Sequence, residues 1–205
     1  MTYDVKYAPK NYKEIKGQPE LVRDLEKFVF TKPPEECPNI YLIGMNGVGK
    51  STAINFVLQH ISEHEEENLK LNAAKERGID VIRKQVTTHV EYASIWGGRK
   101  SVWFEEAHRL TLDAQEAIKD LMDDNKHAVW IFTTNKPIMK DLIDRADIRR
   151  RLNAIPDTDI LETAEMINEK EDLGLSGKVL WRIVEVANGS MRSGMKLLMS
   201  PPHRS

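Results

Sequence analysis

The sequence predicts an α/β protein in which a parallel sheet lies between helices, followed by a small all-helical region. The sheet is indicated by short apolar segments that alternate with segments of helical periodicity. A glycine-rich loop between the first apolar segment and its helix indicates a phosphate site at the end of a strand. After Pro156 only helical periodicity remains, which marks the start of the all-helical region.

The first strand is predicted directly after the turn-forming segment PEECP at residues 34–38. It is the apolar segment Asn39–Ile43. A helix is expected to run from Lys50 to about Ile61, immediately behind the glycine-rich loop. The alternating segment Leu69–Asn72 is consistent with a second strand.

The next part of the chain repeats this alternation of helix and strand. The segment GIDVIRKQVTTHV, which begins at Gly78, has apolar residues at helical spacing. Ser101–Phe104 is predicted to be a strand, and Thr111 precedes a helix that extends to about Met122. Ala128–Phe132 is continuously apolar, as expected for a strand buried on both faces of a covered sheet.

The C-terminal region is predicted to consist of helices alone. DILETAEMINEK and MRSGMKLL have helical periodicity, and between them Ser176 and Gly189 are candidate start and stop signals for a further helix. We therefore predict a core domain at residues 1–156 and a helical lid domain at residues 157–205.

Composition narrows the class of protein. The 205 residues are 40% hydrophobic and 30% charged, which is typical of a soluble globular protein. The single cysteine, Cys37, excludes an internal disulfide framework and fits a reducing compartment. We find no apolar segment of the roughly 20 residues that a membrane helix needs and no signal-peptide pattern. The net charge of -2 is weak evidence either way about nucleic acid.

The glycine-rich loop has the sequence GMNGVGKS, in the strand–loop–helix context that a phosphate-binding loop requires. Its backbone N–H groups and the helix N-terminus are suited to bind phosphate oxygens. We expect Lys50 to reach the β- and γ-phosphates and the Ser51 hydroxyl to bind Mg²⁺. The predicted nucleotide contacts in this segment are Gly44, Asn46, Gly47, Val48, Gly49, Lys50, Ser51 and Thr52.

Two adjacent glutamates end the strand VWFEE. Beside a phosphate loop, Glu105 is expected to hold Mg²⁺ through water, and Glu106 to orient an attacking water. The alternative is an exposed pair of charges at a strand end. His108, which follows two residues later, is close enough in sequence to lie near the site, but a surface position is the favoured interpretation.

Two further segments have two interpretations each. Asn135 ends the next buried strand, where ligands of open α/β sheets bind, and is a candidate sensor of the γ-phosphate. It is equally well explained as a turn residue. The arginines in DRADIRRRL form either a basic surface patch or an arginine finger for the nucleotide of a neighbouring subunit.

Over nearly its whole length the sequence resembles the AAA+ ATPases, and among them the small subunits of clamp loaders of the replication factor C type. KYAPKNYKEIKGQPELV is similar to the family's N-terminal motif at the adenine pocket, which implies a nucleotide contact for Tyr7. WFEEAHRL resembles the Asp-Glu-Ala-Asp box, and TTN resembles sensor 1 at Asn135. IRRR aligns with the finger motif at Arg149, and NGSMRSGMKLL with the lid segment that carries sensor 2, at Arg192.

The sequence departs from the family pattern at several positions. Glu105 and His108 replace the first and last Asp of the acidic box, and Ala8 replaces a usual arginine. Arg150 follows the finger position and competes with Arg149 for that role. The family's C-terminal collar has no counterpart before Ser205.

Contacts with DNA are implied by a further match. LNAAKERGIDVIRKQV resembles the family's stretch leading into the helix that lines the DNA channel, which gives Arg77, Arg83 and Lys84 as candidates for phosphate contacts. Each is equally well explained as a solvated charge. Arg99 and Lys100 lie in a glycine-rich loop and are further candidates for phosphate contacts.

The resemblance implies an ATP-binding and ATP-hydrolysing subunit that uses Mg²⁺ and assembles with other AAA+ subunits on primer–template DNA to load a sliding clamp. It implies a cytoplasmic, nucleoid or nuclear site of DNA replication. The alternatives are a nucleotide-binding structural subunit with little turnover, since Glu105 alters the metal site, and another AAA+ DNA remodeller such as a helicase loader.

Overall fold

The computed structural model describes residues 2–96 and 98–200. Its strands are β1 (Ile40–Gly44), β2 (Asn68–Asn72), β3 (Lys100–Glu105), β4 (Ala128–Thr134) and β5 (Ile148–Leu152). These form one parallel sheet in the order β2-β3-β4-β1-β5. Because the strands are parallel, their carboxyl ends meet at one edge of the sheet, where the predicted site residues lie.

The helices within the described ranges cover both faces of this sheet and form the C-terminal region. They are α1 (Tyr3–Lys6), α2 (Pro19–Leu25), α3 (Lys50–Ile61), α4 (Ile79–Val81), α5 (Thr87–Val90), α6 (Leu112–Asp124), α7 (Lys140–Asp144), α8 (Asp157–Lys170), α9 (Gly177–Ala187) and α10 (Met191–Met199). A π-helical turn, Ile82–Val86, joins α4 to α5. In the described residues no helix is both long and apolar enough to cross a membrane.

Alternation of side chains along the strands divides the core into two layers. Leu42 and Ile131 point to the layer formed with α2 and α3. Tyr41 and Phe132 point to the opposite layer, formed with the π-helical turn and α6. Since β4 is buried along its whole length, the prediction of a strand covered on both faces is confirmed.

The predicted fold class is confirmed, with β5 as an addition. Sequence analysis treated its IRRRL segment only as a basic patch or a finger and assigned it no strand. The strand lies at the edge of the sheet, where Ile148 and Leu152 are buried and Arg149 and Arg151 are exposed. An edge strand tolerates charged side chains because part of it faces solvent, and the usual apolar signal is then absent.

A third apolar cluster holds the C-terminal helices together. It includes Ile167, Ile183 and Leu198, one from each of α8, α9 and α10. Tyr3 and Tyr7 from the N-terminal segment also pack against it. The N-terminus is therefore joined to the C-terminal helices, although the division at residue 156 stays a prediction. Residues 201–205 of the predicted lid lie outside the described residues.

Candidate nucleotide-binding site

The phosphate loop connects β1 to α3 in a conformation that depends on glycine. Gly47 and Gly49 have φ angles of 82° and 100°, which L-residues with side chains rarely adopt. The Lys50 side chain is 8% exposed and donates to the carbonyls of Gly44 and Met45, at 2.6 and 2.8 Å. Burial lowers the pKa of Lys50, and Arg192 lowers it further, whereas Glu106 opposes the shift. A bound polyanion would favour the charged form again.

The two glutamates at the end of β3 lie beside this loop and make different contacts. Glu105 Oε1 accepts from Ser51 Oγ at 3.2 Å, and its Oε2 lies 3.4 Å from Lys70 Nζ. The approach of Ser51 and Glu105 is an observation that fits a hydroxyl and a carboxylate sharing one Mg²⁺ with its waters. Glu106 has a φ angle of 53°, in the left-handed region. Such backbone strain in a non-glycine residue is typical of functional sites.

The C-terminal helices contact the phosphate loop directly. The Met191 N–H donates to the Gly47 carbonyl at 3.1 Å. A Cβ atom added to Gly47 would lie 2.1 Å from Ser190 Oγ and 3.2 Å from Arg192 Cβ. Arg192 is thus brought to the loop by the first turn of α10, and its role as a residue that senses phosphate stays a prediction.

A cavity of about 620 Å³ unites these elements. It is lined by the phosphate loop, Glu105, Glu106 and Arg192, and by Tyr7, Met166 and Met195 among others. Each predicted contact from Asn46 to Thr52 lines it, whereas Gly44 takes part through its carbonyl bond to Lys50. A volume in this range is typical of pockets for ligands of nucleotide size.

A model of the family described as "ATPase family associated with various cellular activities (AAA)" matches residues 40–156. This match covers more than half of the chain and includes the phosphate loop, both glutamates and the five strands.

The chain belongs to the AAA family.

Relatives of this AAA protein include replication factor C small subunits. That of Thermoplasma acidophilum is 31% identical over 201 residues, which are 95% of this chain and 62% of the relative. That of Methanococcus vannielii is 29% identical over 201 residues, again 95% of this chain and 62% of the relative. The chain therefore spans less than two thirds of the length of these relatives.

Solved structures confirm the fold. The RuvB Holliday junction branch migration motor of Thermotoga maritima superposes with a TM-score of 0.72 at 17% identity. The match covers 94% of this chain and 64% of that one. A variant of the same RuvB has a TM-score of 0.74 at 16% identity, with the same coverage.

Two predicted site residues of the AAA protein lie away from the cavity. Asn135 is exposed just beyond β4 and does not line it, whereas Thr133 at the end of the strand does. Arg149 is exposed in β5 and lies 3.2 Å from Asp144. No described residue of β5 lines the cavity, so Arg149 does not serve its own site.

The neighbouring Arg150 lies on the opposite face of β5. It donates two hydrogen bonds to the Asp24 carboxylate of α2, at 2.5 and 3.1 Å. This pairing ties Arg150 into the fold and leaves Arg149 as the more accessible of the two finger candidates.

The candidate DNA contacts divide into two groups. Arg77, Arg83 and Lys84 are exposed on or beside the α4–α5 helical stretch, and no ion pair is found for them among the described residues. Arg99 is different, because its guanidinium donates to four backbone carbonyls. Lys100 donates to the carbonyl of His89 at 2.9 Å. These contacts correct the suggestion that Arg99 and Lys100 are available to DNA.

Sequence analysis favoured the surface for His108 and did not single out Asn72 or Asp4 as cavity residues. The His108 side chain is only 11% exposed; Nδ1 lies 3.0 Å from Thr134 Oγ1, and Nε2 lies 3.6 Å from Glu106 Oε2. The expected surface histidine is therefore wrong, because the turn after β3 folds it back against β4. Asn72 and Thr133 line the cavity at strand ends, and only the parallel topology reveals their proximity. Asp4 also lines it, although it is far away in sequence.

Proposed function

We propose that this AAA protein is an ATP-binding and ATP-hydrolysing clamp-loader-like subunit, which assembles with other AAA+ subunits on primed DNA to load a sliding clamp. The observation that supports it most is one cavity that joins a phosphate loop, two strand-end glutamates and an arginine from the C-terminal helices. The identity to replication factor C small subunits over 95% of the chain supports the choice among AAA functions. The proposal implies that the protein acts where DNA is replicated, in the cytoplasm, the nucleoid or the nucleus.

The roles within the site follow from charge and position. Lys50 and Arg192 would bind the phosphate oxygens, because both are cations that line the cavity beside the phosphate loop. Ser51 and Glu105 would hold Mg²⁺, which neutralises phosphate charge when bound. Glu106 would orient the attacking water and accept its proton. We retain Asn135 as the candidate sensor, although it has to move toward the cavity to reach a γ-phosphate.

Completion of the site by a second subunit is part of this proposal. Arg149 is exposed and absent from its own cavity, which supports a role toward the nucleotide of a neighbour. An arginine finger contributes about 10³–10⁵ in rate where it operates. The proposed core and lid domains, residues 1–156 and 157–205, would then enclose ATP between them. Binding of ATP would hold the lid in one position, and the interface with the next subunit would depend on that position.

Contacts with DNA and the clamp are proposed on exposed surfaces. Arg77, Arg83 and Lys84 are suited to phosphate contacts, because they are exposed and form no ion pair with another described residue. Beyond α5, the side chains of Tyr92 and Ile95 are 68% and 82% exposed, and large apolar side chains in the open are suited to a protein contact. We propose the sliding clamp as its partner.

The decisive experiment measures steady-state ATP hydrolysis against protein concentration, with and without primer–template DNA. We expect the activity per chain to rise with concentration and again with DNA, since the site is completed in trans. Arg149→Ala should then reduce the rate at saturating protein by at least about a hundredfold.

Arg150→Ala is the matched control, because it removes an adjacent arginine that is held by Asp24. The substitution should lower the stability of the fold. It should leave the rate of ATP hydrolysis per folded chain nearly unchanged. A concentration-independent rate, or an equal loss in both variants, would contradict completion by Arg149.

A nucleotide-binding subunit with little turnover is the second candidate. It is favoured by one observation: Glu105, in place of the usual Asp, is already engaged by Ser51 and Lys70. ATP binding without hydrolysis at any protein or DNA concentration would support it. Stimulation by DNA but not by a clamp would instead support another AAA+ DNA remodeller, such as a helicase loader.

A further inference from the structure

The ammonium group of Lys70 lies over the Trp103 ring and beside the Glu105 carboxylate. Its Nζ atom is 4.2 Å from the centroid of the ring and 3.4 Å from Glu105 Oε2. The register of the sheet explains both contacts, because Lys70 in β2 lies directly opposite Trp103 in β3, and Glu105 follows two residues later. Side chains two residues apart share one face of a sheet, so all three lie on the same side.

The Trp103 ring is a fixed support for this cation. The side chain is fully buried, and its Nε1 atom donates to Thr133 Oγ1 at 2.9 Å. A cation over the face of an indole ring is attracted by the quadrupole of the ring, which holds the Lys70 ammonium group in place. Because the Lys70 side chain is 47% exposed, its ion pair contributes little to the stability of the fold. We therefore look for its effect in the charge that it brings to Glu105.

The two carboxylate oxygens of Glu105 have different partners. Oε1 accepts from Ser51 Oγ at 3.2 Å, whereas Oε2 faces Lys70. Within the described part of the chain, Lys70 is the one cation that forms an ion pair with Glu105. Glu105 lines the cavity and Lys70 does not, so Lys70 acts on the contents of the cavity through Glu105.

We propose that Lys70 neutralises Glu105 and keeps the affinity of the nucleotide-free site for divalent cations low, so that Mg²⁺ enters together with the nucleotide. The inference rests on the proposed function, because it takes Ser51 and Glu105 as the position of Mg²⁺. A dication at Oε1 is attracted by the carboxylate and repelled by the ammonium group beside Oε2. The phosphates of a nucleotide supply the negative charge that the neutralised pair lacks.

A purely orienting role for Lys70 predicts the opposite effect. If Lys70 only held the Glu105 carboxylate in one rotamer, its removal would weaken the binding of a metal ion. We favour the effect of charge, because the hydrogen bond from Ser51 already orients Oε1. A full positive charge 3.4 Å from the other oxygen acts on a dication whatever the rotamer.

The test measures the binding of Mn²⁺, an EPR-visible substitute for Mg²⁺, to the nucleotide-free protein. Binding removes the signal of the free ion, and competition by Mg²⁺ shows that both ions use one site. Lys70→Met should bind Mn²⁺ about tenfold more tightly than the unmodified protein, as expected when one charge is removed near a dication in a largely aqueous setting. Lys70→Arg keeps the charge and the contact with the ring, so its affinity should stay within about twofold.

Two further variants show where the effect arises. Lys75→Met is the matched control, because it removes an exposed lysine just after β2 that forms no ion pair with a described residue. It should leave the affinity for Mn²⁺ unchanged. Adding Glu105→Gln to Lys70→Met should abolish the gain, since the carboxylate that Lys70 neutralises is then absent. Thermal melts should show that Lys70→Met is folded, as expected for a half-exposed pair.

A separate titration with ADP tests the proposed function by itself. The unmodified protein and Lys70→Met should both bind ADP in the presence of Mg²⁺. In EDTA their affinities for ADP should differ by less than about threefold, because Lys70 does not line the cavity and the contribution of a distant exposed charge is screened.

Four results would overturn the inference. Mn²⁺ binds no more tightly to Lys70→Met than to the unmodified protein; or the gain persists when Glu105→Gln is added; or Lys75→Met gives the same gain; or Lys70→Met loses much of its affinity for ADP in EDTA, which would make Lys70 a phosphate ligand. Weaker binding of Mn²⁺ to Lys70→Met would make Lys70 an orienting residue.

The two proposals fail in different ways. If the unmodified protein binds no ADP with Mg²⁺ present, the proposed function fails. If it binds ADP with Mg²⁺ in a Ser51-dependent manner and Lys70→Met leaves the affinity for Mn²⁺ unchanged, only the role of Lys70 fails.

Discussion

The cations at the two ends of the same sheet are held in different ways. At the carboxyl ends, the buried Lys50 donates to two carbonyls of its own loop, and Arg192 is exposed beside that loop without an ion pair among the described residues. At the amino ends, Arg99 donates to the carbonyls of Cys37, Lys126, His127 and Ala128, at distances from 2.6 to 3.1 Å. Arg99 thereby joins the chain just before β1 and β3 to the start of β4.

Asn39 completes the amino-terminal end. Its side chain accepts from Trp130 N and donates to the carbonyl of Arg145, and its own N–H donates to Asp147. Every strand except β2 is thus tied at this end by one of two polar residues. The difference teaches that hydrogen bonds to carbonyls do not by themselves identify a structural cation. The useful criterion is where those carbonyls lie: the partners of Lys50 are in its own loop, whereas those of Arg99 belong to separate parts of the chain.

The largest effect that tests this comparison is expected at Lys50. Lys50→Met keeps the length of the stem and removes the charge, so affinity for ATP should fall at least about a hundredfold. The free energy of unfolding should fall less than in an Arg99 variant, because the loss of two carbonyl bonds is partly offset by removal of a buried charge, whose pKa burial lowers. Nucleotide titration and thermal melts measure the two quantities on the same sample.

The control for Lys50 is Lys196→Met, which removes an exposed lysine of α10. It should change neither affinity nor melting temperature. A Lys50→Met variant that binds ATP normally but melts much earlier would reverse the assignment and make Lys50 a structural cation like Arg99.

The next largest effect is expected at Arg99, with the opposite pattern. Arg99→Met leaves several carbonyls without their donor, which should lower the free energy of unfolding by about 2–4 kcal/mol. The affinity for ATP should stay within about twofold, because the site lies at the other end of the strands. Chemical denaturation and nucleotide titration check the two expectations.

Arg23→Met serves as the control for Arg99. The side chain of Arg23 is 74% exposed and makes only a 4.0 Å contact with Glu20, so its loss should cost less than about 0.5 kcal/mol. Equal destabilisation by both substitutions would contradict the view that Arg99 fastens the amino ends.

Sequence analysis anticipated the carboxyl-terminal end much better than the amino-terminal end. The phosphate loop and the paired glutamates are local patterns, in which neighbours in sequence are neighbours in space. Arg99 shows no such pattern, because three of its four carbonyl partners lie 27 to 29 residues away and the fourth lies 62 away. The one sequence signal of Arg99 is that of a basic residue in a glycine-rich loop, which predicts a contact with DNA.

Asp4 also lines the cavity, and its place there is visible only when α1, the phosphate loop and the C-terminal helices are assembled. Strand β5 was not predicted, because its three consecutive arginines mask the usual apolar pattern of a strand. Ile148 and Leu152 at its two ends are nevertheless buried.

The smallest effect concerns Cys37, whose carbonyl is bound by Arg99. The thiol is fully buried, and burial raises the pKa of Cys37 to about 12. At pH 8 only about one thiol in 10⁴ is then ionised. We expect no measurable reaction with a thiol reagent such as Ellman's reagent in the time that the unfolded chain needs to react fully. The Arg99→Met variant should react faster, in proportion to the population of open molecules. A rapid reaction of the unmodified protein would contradict the view that the amino ends of the strands are held together firmly enough to keep the Cys37 thiol buried.

The contact of Gly47 with the C-terminal helices bears on how related sequences are interpreted. Any side chain at position 47 meets Ser190 Oγ at 2.1 Å, whether or not a nucleotide is present. Glycine is thus required there by the packing of α10 as well as by phosphate. A descendant of this protein that lost nucleotide binding would still keep the glycine. Divergent homologues should therefore be judged competent or incompetent by Lys50 and Glu106, and the survival of the glycine-rich signature counts for little.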